Sequence, residues 1–314
     1  MSEFQRVKAA IDAGLGYLEG LIQIKTWSFS ADLCSVDRKI FSSIPENKHT
    51  HNPEIFTHFI ALDLLGNQFS NLALLELKLS LVPSPLSTIN YFVDASVPDF
   101  PDDADTTALG YTSLLKANFV KREDVMPMAQ ELFDNVNSNG LVKIYFKDSE
   151  KHRREMICPI TCSNVLRLSY LLGLEGKLEK TENYVFNWLA SGDYKKGSLY
   201  YPGGYPFLYF CSTFAMANSK VQDRFRPVLL SALENSLEDC KLPLDYALTL
   251  LALENLGCHD HSDAISRELL QHQEPDGSWP PDAVWGNTHG VFYGGKAVST
   301  IFILGALSSY MTYF

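Results

Sequence analysis

Four aspartates within seven positions are the feature of this sequence best suited to chemistry. They are Asp99, Asp102, Asp103 and Asp105, and they lead into Thr106, Thr107 and a run of helix-forming residues. Ionised carboxylates this close repel one another unless they are solvated or share protons. Asp105 stands where a helix N-cap belongs, so one interpretation is a capping aspartate in an acidic surface loop. The other is a functional acid placed at the start of an apolar helix.

A second compact motif, QEPDGSW, spans residues 273–279. Its Asp-Gly pair turns the chain. The Gln273 amide can hydrogen-bond to carbonyl groups at a helix end, while the Trp279 indole packs over it. We interpret the motif as a scaffold that joins one helix to the next.

Both motifs lie between helical segments that repeat along the chain. Six nearly all-apolar segments begin at Pro, Asp or Lys, and most end at Gly or Asn, which is typical of helix termini. They span 53–66, 105–118, 159–173, 206–218, 243–257 and 296–307. More charged, amphipathic segments alternate with them at 3–24, 70–81, 123–134, 178–191, 225–239 and 261–272.

Apolar helices must be buried on every side, whereas amphipathic helices bury one face. The alternation therefore predicts an all-α fold, an α6/α6 toroid of two concentric helix rings, with residues 1–314 as one domain. The inner helices would direct one set of ends at a central cavity, with the longer loops at its mouth. Residues 140–146 and 197–201 are predicted to be small hairpins. A helical solenoid or two unrelated helical domains would give a similar pattern.

The motifs together resemble those of the class II terpene cyclases. Asp103–Ala108 is similar to the DxDD(T/S)A acid motif, and closer to the DxDTT variant of drimane-type sesquiterpene cyclases. Residues 273–279 resemble the QW repeat of squalene–hopene cyclases. Residues 140–168 are similar to the group of cyclases that share the terpene-synthase β domain. The sequence departs from the main pattern in having Thr106 where a further acid is usual and only one good QW copy. The resemblance implies a single β-type domain without the second, γ barrel.

This resemblance assigns the general acid to Asp105, tuned by Asp103 and by the hydroxyls of Thr106 and Thr107. It implies that the acid protonates a terminal alkene of a linear prenyl substrate and that rings close through carbocations, as in an isomerase- or lyase-type cyclase. Farnesyl diphosphate and a drimane-type bicycle are the expected substrate and product. A meroterpenoid or prenyl-epoxide substrate would leave the same sequence signs.

A carbocation needs a dry wall of aromatic faces. We expect substrate-binding aromatic side chains in loops and at inner-helix starts, namely Trp27, Tyr145, Tyr201, Phe207, Trp285 and Phe292. A diphosphate would need basic residues at the opening, and the candidates are Lys143, Arg153, Arg154 and Lys296. Mg²⁺ would then accompany the diphosphate. No protein metal-ligand set is predicted.

The composition of the chain limits the classes of partner that the protein could bind. The 314 residues carry a net charge of −11, which disfavours nucleic-acid binding. The start has no apolar signal region and no apolar run approaches a membrane span, so we expect a cytoplasmic protein with free thiols. Because no γ barrel is expected, loops or self-association into a homo-oligomer would close the cavity. Peripheral membrane contact is compatible with so apolar a substrate.

Three other functions share this fold. A protein-prenyltransferase β subunit would hold zinc, for which Asp239, Cys240 and His289 are the conceivable ligands. An α6/α6 glycosidase or polysaccharide lyase would pair Asp103 or Asp105 with another carboxylate. A non-catalytic toroid would serve as a binding scaffold. Ionisation-type terpene chemistry is disfavoured, because Thr106 stands where the last aspartate of a DDxxD motif would be.

Overall fold

The computed structural model describes residues 2–22, 27–34, 53–93, 97, 100–146, 155–286 and 292–312, with side chains undescribed at 32–34. Twelve helices alternate between two rings in this part of the chain. The outer helices are α1 (Glu3–Leu21), α3 (Asn71–Leu81), α5 (Arg122–Asp134), α7 (Glu179–Ala190), α9 (Ser219–Leu237) and α11 (Ser262–Gln271). The inner helices are α2 (Phe56–Leu65), α4 (Ala104–Lys116), α6 (Pro159–Leu171), α8 (Gly204–Ala215), α10 (Pro243–Asn255) and α12 (Lys296–Met311).

The inner ring closes on itself. Each inner helix packs against the next along the chain, and α12 returns to pack against α2. Inner helices are buried nearly all round, whereas α5, α7 and α9 bury only one face. The predicted all-α toroid is therefore confirmed, and the solenoid and two-domain alternatives are wrong, since neither brings the last helix onto the first inner one.

Helix starts follow the expected end chemistry. Pro159 and Pro243 open α6 and α10, and Ser70 and Asn218 cap α3 and α9 through their side chains. One prediction is wrong: Asp103, not Asp105, is the N-cap of α4. The Asp103 carboxylate accepts the Thr106 amide, and its extended backbone leaves Asp105 inside the first helical turn.

The predicted scaffold at residues 273–279 ties three helices together. Gln273 Nε2 donates to the Ala10 carbonyl of α1, 2.8 Å away. The fully buried Trp279 donates from its indole N–H to the Leu269 carbonyl of α11, and its backbone N–H reaches Thr300 of α12. Gly277 adopts φ +90° beside α1, where a Cβ would lie 2.4 Å from the Ala13 carbonyl oxygen.

A small antiparallel sheet beside the start of α12 was not predicted. Its order is β1 (Asp32–Cys34), β3 (Phe292–Gly295), β2 (Asp282–Gly286). Residues 141–143 pair with residues 135–137 in a small antiparallel hairpin that turns at Gly140, and Tyr145 then bridges to Asp103. Residues 197–201 make the expected tight turn, closed by paired backbone hydrogen bonds between Ser198 and Tyr201.

Two further expectations can be compared with the described residues. None of the helices there is long and apolar enough to cross a membrane. The five cysteines whose side chains are described, Cys158, Cys162, Cys211, Cys240 and Cys258, are free thiols.

Candidate active site

Asp105 lies in the first turn of α4, where the N-terminal ends of the inner helices meet. Its side chain is buried, with 8% of the residue exposed. One carboxylate oxygen accepts from Asn164 Nδ2 of α6 at 2.7 Å, and the other accepts from the Tyr201 hydroxyl, just before α8, at 2.8 Å. Three consecutive inner-ring segments therefore converge on one carboxyl group.

The surroundings of Asp105 favour a proton donor. Burial raises the pKa of this carboxyl, while hydrogen bonds from Asn164, Tyr201 and Thr161 act to lower it. The first effect favours the protonated form of the group. The donors and the helix N-terminus stabilise the carboxylate after the proton has left. This combination is what a general acid for a weak base requires.

Asp103 and Asp102 have different surroundings. Burial raises the pKa of Asp103 to about 8. The hydrogen bond from the Thr106 amide acts to lower this pKa, and the nearby charge of Asp105 acts to raise it. Asp103 Oδ1 accepts that amide at 2.7 Å, whereas Oδ2 is buried without a partner among the described residues. Asp102 accepts from the Thr88 hydroxyl at 2.5 Å and from the Asn90 amide. Asp99 lies outside the described residues.

The two threonines point in different directions. The Thr106 hydroxyl is buried beside the Asp103 cap and has no hydrogen-bond partner among the described residues. The Thr107 hydroxyl accepts the Ile89 amide at 2.9 Å and so fixes the loop before α4. The structure brings Asp103 and Thr106 together at the helix start but directs Thr107 away, to the backbone of that loop.

Aromatic rings form a continuous series beside the acid. The Trp285 indole donates to the Tyr91 hydroxyl at 2.8 Å. Edge-to-face contacts then run from Tyr91 to Phe92, to Phe100 and to Tyr145, with ring centroids 4.9, 4.9 and 5.8 Å apart. Tyr145 bridges through its backbone to Asp103, so the series ends at the acid motif. Such rings offer π faces to a cation without a strong nucleophile.

Three of the expected aromatic residues lie in other surroundings. Trp27, at φ +53°, packs edge-on against His58 of α2. Phe207 stacks on Tyr194, with centroids 6.0 Å apart. Phe292 begins β3 and pairs with Gly286. Of the other expected aromatic residues, Tyr201 bonds to Asp105, Tyr145 bridges to Asp103, and Trp285 lies at the far end of the aromatic series.

Two of the four candidates for diphosphate binding, Lys296 and Lys143, lie in the described part of the chain. Lys296 forms ion pairs with Glu274 and Asp276 of the scaffold motif, and the Glu274 bond raises the pKa of this lysine. Lys143 follows α5, where its backbone pairs with Asn135. Arg153 and Arg154 lie outside the described residues.

No group of three or more His, Cys, Asp or Glu side chains within the described ranges could hold a metal ion. Cys240, conceivable as a zinc ligand, is buried and bonds to the Ser236 carbonyl and the Thr249 hydroxyl. His289 lies outside the described residues.

Sequence reasoning missed Asn164 and Phe100. Asn164 is a buried amide on an inner helix, and an amide at a position predicted to be buried is the signal that could have identified it. Phe100 lies inside the aspartate-rich loop, where the neighbouring aspartates are the more obvious candidates for chemistry. Its packing between Phe92 and Tyr145 depends on two other loops.

Removing the Tyr201 hydroxyl tests the support of the acid. Tyr201→Phe deletes a hydrogen bond to the carboxylate, worth about 1.5–3 kcal/mol for a charged acceptor. We expect cyclisation to slow by about 10- to 100-fold. The pH above which the rate falls should rise, because losing this donor raises the pKa of Asp105. Tyr205→Phe, which removes a bond to the Ser236 carbonyl, is the matched control. Equal pH–rate profiles for both variants would contradict this role.

Similarity to known protein families and structures agrees with this geometry. Residues 35–172, which contain the acid motif and Asn164, match the model of the sesquiterpene cyclase astC-like C-terminal domain. No curated protein sequence matches the chain.

Several solved structures share the fold. One is a protein from Actinoplanes, with 15% identity, a TM-score of 0.71, and 97% of this chain and 99% of that one covered. Another is a variant of the type II terpene cyclase MstE from Scytonema with its substrate, geranylgeranyl dihydroxybenzoate. It has 13% identity and a TM-score of 0.71, and 99% of each chain is covered. A third is ent-copalyl diphosphate synthase from Streptomyces platensis, with 14% identity and a TM-score of 0.59. The match covers 82% of this chain and 50% of that one. The family match over residues 35–172 and the shared fold confirm the resemblance to class II terpene cyclases.

Proposed function

We propose that this enzyme cyclises a linear prenyl chain by protonation, with Asp105 as the general acid. The observation that carries the proposal is a buried carboxyl group at a helix N-terminus. Both of its oxygens accept hydrogen bonds, one from Asn164 and the other from Tyr201. The preferred substrate is farnesyl diphosphate and the preferred product a drimane-type bicycle. A sesquiterpene cyclase model covering the acid motif supports this preference.

The reaction follows from the acid and its surroundings. The Asp105 carboxylic acid gives its proton to the CH carbon of the terminal alkene, and the alkene π electrons form the new C–H bond. The tertiary cation left behind is attacked by the next alkene, which closes the first ring, and a second closure follows. Loss of a proton or addition of water ends the cascade. Asn164 and Tyr201 stabilise the Asp105 carboxylate until solvent returns its proton.

The aromatic series would stabilise the cations as they move along the chain. Tyr145 and Trp285 mark the two ends of this series, and we expect substrate to lie against it. Lys143, Arg153, Arg154 and Lys296 remain proposals for the diphosphate, which would arrive as its Mg²⁺ complex. Among them, Lys296 would first have to exchange its carboxylate partners.

A meroterpenoid is the second candidate substrate. The whole-chain likeness to MstE, a cyclase solved with geranylgeranyl dihydroxybenzoate, supports it. A prenyl epoxide would offer its oxygen to the same acid. Glycoside hydrolysis has less support, because Asp103, the carboxyl nearest in sequence, is engaged as the helix cap. Cytoplasmic location, self-association and peripheral membrane contact remain predictions.

A substrate panel tests the proposal. Purified protein is incubated separately with farnesyl diphosphate, geranylgeranyl diphosphate and geranylgeranyl dihydroxybenzoate, and the extracted products are identified by mass spectrometry, after dephosphorylation where needed. A drimane-type alcohol from farnesyl diphosphate supports the first candidate. Cyclisation of the dihydroxybenzoate alone supports the second in its place. Recovery of only linear compounds from every incubation would overturn the function.

A further inference from the structure

The interior of the inner ring is crossed by an ion pair below the acid. Asp63 lies on α2 and Arg167 on α6, with α4 between these two helices in the ring. Both terminal nitrogens of the Arg167 guanidinium, Nη1 and Nη2, donate to the Asp63 carboxylate, at 2.7 and 3.0 Å. Because the two helices are not neighbours, the pair spans the lumen and does not simply join adjacent helices.

A third charge closes the α4 side. Lys116, the last residue of α4, donates to Asp63 at 2.6 Å. Burial opposes ionisation of Asp63, but Arg167 and Lys116 lower the pKa of its carboxyl to about 2. With both Arg167 nitrogens committed to Asp63, this cluster is poorly suited to receive a substrate diphosphate.

Aromatic side chains fill the opposite side of the lumen. Tyr209 of α8 is buried, and the charges of Asp63 and Arg167 are both close enough to act on its hydroxyl. Phe302 of α12 meets the Tyr209 ring edge-on, with centroids 5.7 Å apart. Five of the six inner helices thus contribute to one layer, the plug, defined as Asp63, Lys116, Arg167, Tyr209 and Phe302.

The plug lies beneath the acid along the inner helices. Asn164, which bonds to Asp105, precedes Arg167 by three residues, or about 4.5 Å along α6. On α8, Phe210 contacts both the Tyr201 ring, at 6.0 Å, and the Tyr209 ring, at 4.9 Å. On α4, Lys116 follows Asp105 by eleven residues, or about 16 Å, so the layer slopes away from the proton donor from α6 towards α4.

We propose that the plug is the floor of the substrate cavity and limits the length of the prenyl chain, with Tyr209 as the residue that sets this limit. The inference rests on the proposed cyclase function. A chain whose terminal alkene lies at Asp105 can extend down the lumen only as far as this layer, and a longer chain must fold against the aromatic series. Tyr209 is the best point for a change of volume, because it fills space beside the ion pair while Asp63, Lys116 and Arg167 satisfy one another.

The test replaces Tyr209 with leucine and compares two substrates. We expect Tyr209→Leu to raise the ratio of geranylgeranyl to farnesyl diphosphate cyclised by at least tenfold. Phe214→Leu on the same helix is the control, because Phe214 packs outward against Phe225 of α9 and should leave the ratio unchanged. Circular dichroism checks the fold of each variant. Should Tyr209→Leu not fold, Phe302→Leu enlarges the same layer from α12.

The outcomes separate this inference from the function beneath it. Failure of the parent protein to cyclise either substrate would overturn the proposed function. Cyclisation by the parent, with an unchanged ratio in the folded floor variant, would overturn the floor alone. A second readout needs no turnover: geranylgeraniol should raise the Tm of Tyr209→Leu more than that of the parent, and farnesol should not. Equal shifts in both proteins would likewise overturn the floor.

Discussion

Asp105→Asn is expected to give a folded protein whose cyclisation rate is lower by about 10³-fold or more, as expected for the loss of an essential general acid. The amide has nearly the same shape as the carboxyl group and can still accept the Tyr201 hydroxyl. Its NH₂ group can turn to the Asn164 side-chain oxygen, which is buried without a hydrogen-bond partner among the described residues. The fold therefore has no reason to change, while the transferable proton is gone.

The matched control is Asp103→Asn. Asparagine is as good an N-cap as aspartate, so α4 should be preserved. This variant removes a neighbouring carboxyl group but leaves the proton donor, and we expect a much smaller loss. Single-turnover cyclisation followed by mass spectrometry, with circular dichroism to check the fold, measures both. Parental activity in Asp105→Asn would remove Asp105 from the chemistry.

Arg167→Met is expected to produce the largest loss of stability, about 3–5 kcal/mol in the free energy of unfolding. The change leaves the Asp63 carboxylate buried, with the half-exposed Lys116 as its remaining cation. Urea denaturation at pH 7 measures the loss. Arg224→Met is the control: Arg224 pairs with Glu182 nearer the surface, so its loss should cost about 1 kcal/mol or less. A similar cost for both would contradict the buried role of Arg167.

The pH dependence gives a second check on this pair. The pKa of Asp63 is about 2 in the folded protein, below the value of about 3.9 for an unperturbed aspartate. The pair therefore stabilises the fold fully above about pH 4, and that contribution is lost as the pH falls towards 2. Arg167→Met should flatten this acid-dependent loss. Asp63→Leu combined with Arg167→Met should recover most of the stability, because no buried charge is then left alone.

The toroid was predictable because its information is local. Pro and Asn or Gly at segment ends and all-apolar inner segments show which helices are buried without any tertiary contact. The sheet was not predictable, since β1 is three residues long and pairs with β3, some 260 residues away. Its strands are too short to show an alternating pattern.

The site shows the same division. The motif identified Asp105, but the order of cap and acid depends on the extended backbone at Asp103, which two aspartates spaced two residues apart do not reveal. Asn164 meets Asp105 across 59 positions of sequence, so its role needs the ring to be closed. Lys296 was expected at the opening, yet Glu274 and Asp276, visible in the scaffold motif, pair with it first.

Deuterium incorporation tests the central claim most directly. The enzyme is equilibrated in D₂O, where the exchangeable proton of Asp105 becomes a deuteron, and is then given unlabelled substrate. Protonation of the terminal alkene predicts a cyclised product one mass unit heavier, with the deuterium on the ring carbon derived from the terminal CH. A cyclised product with no deuterium at that carbon would contradict initiation by an acid and, with it, the role assigned to Asp105.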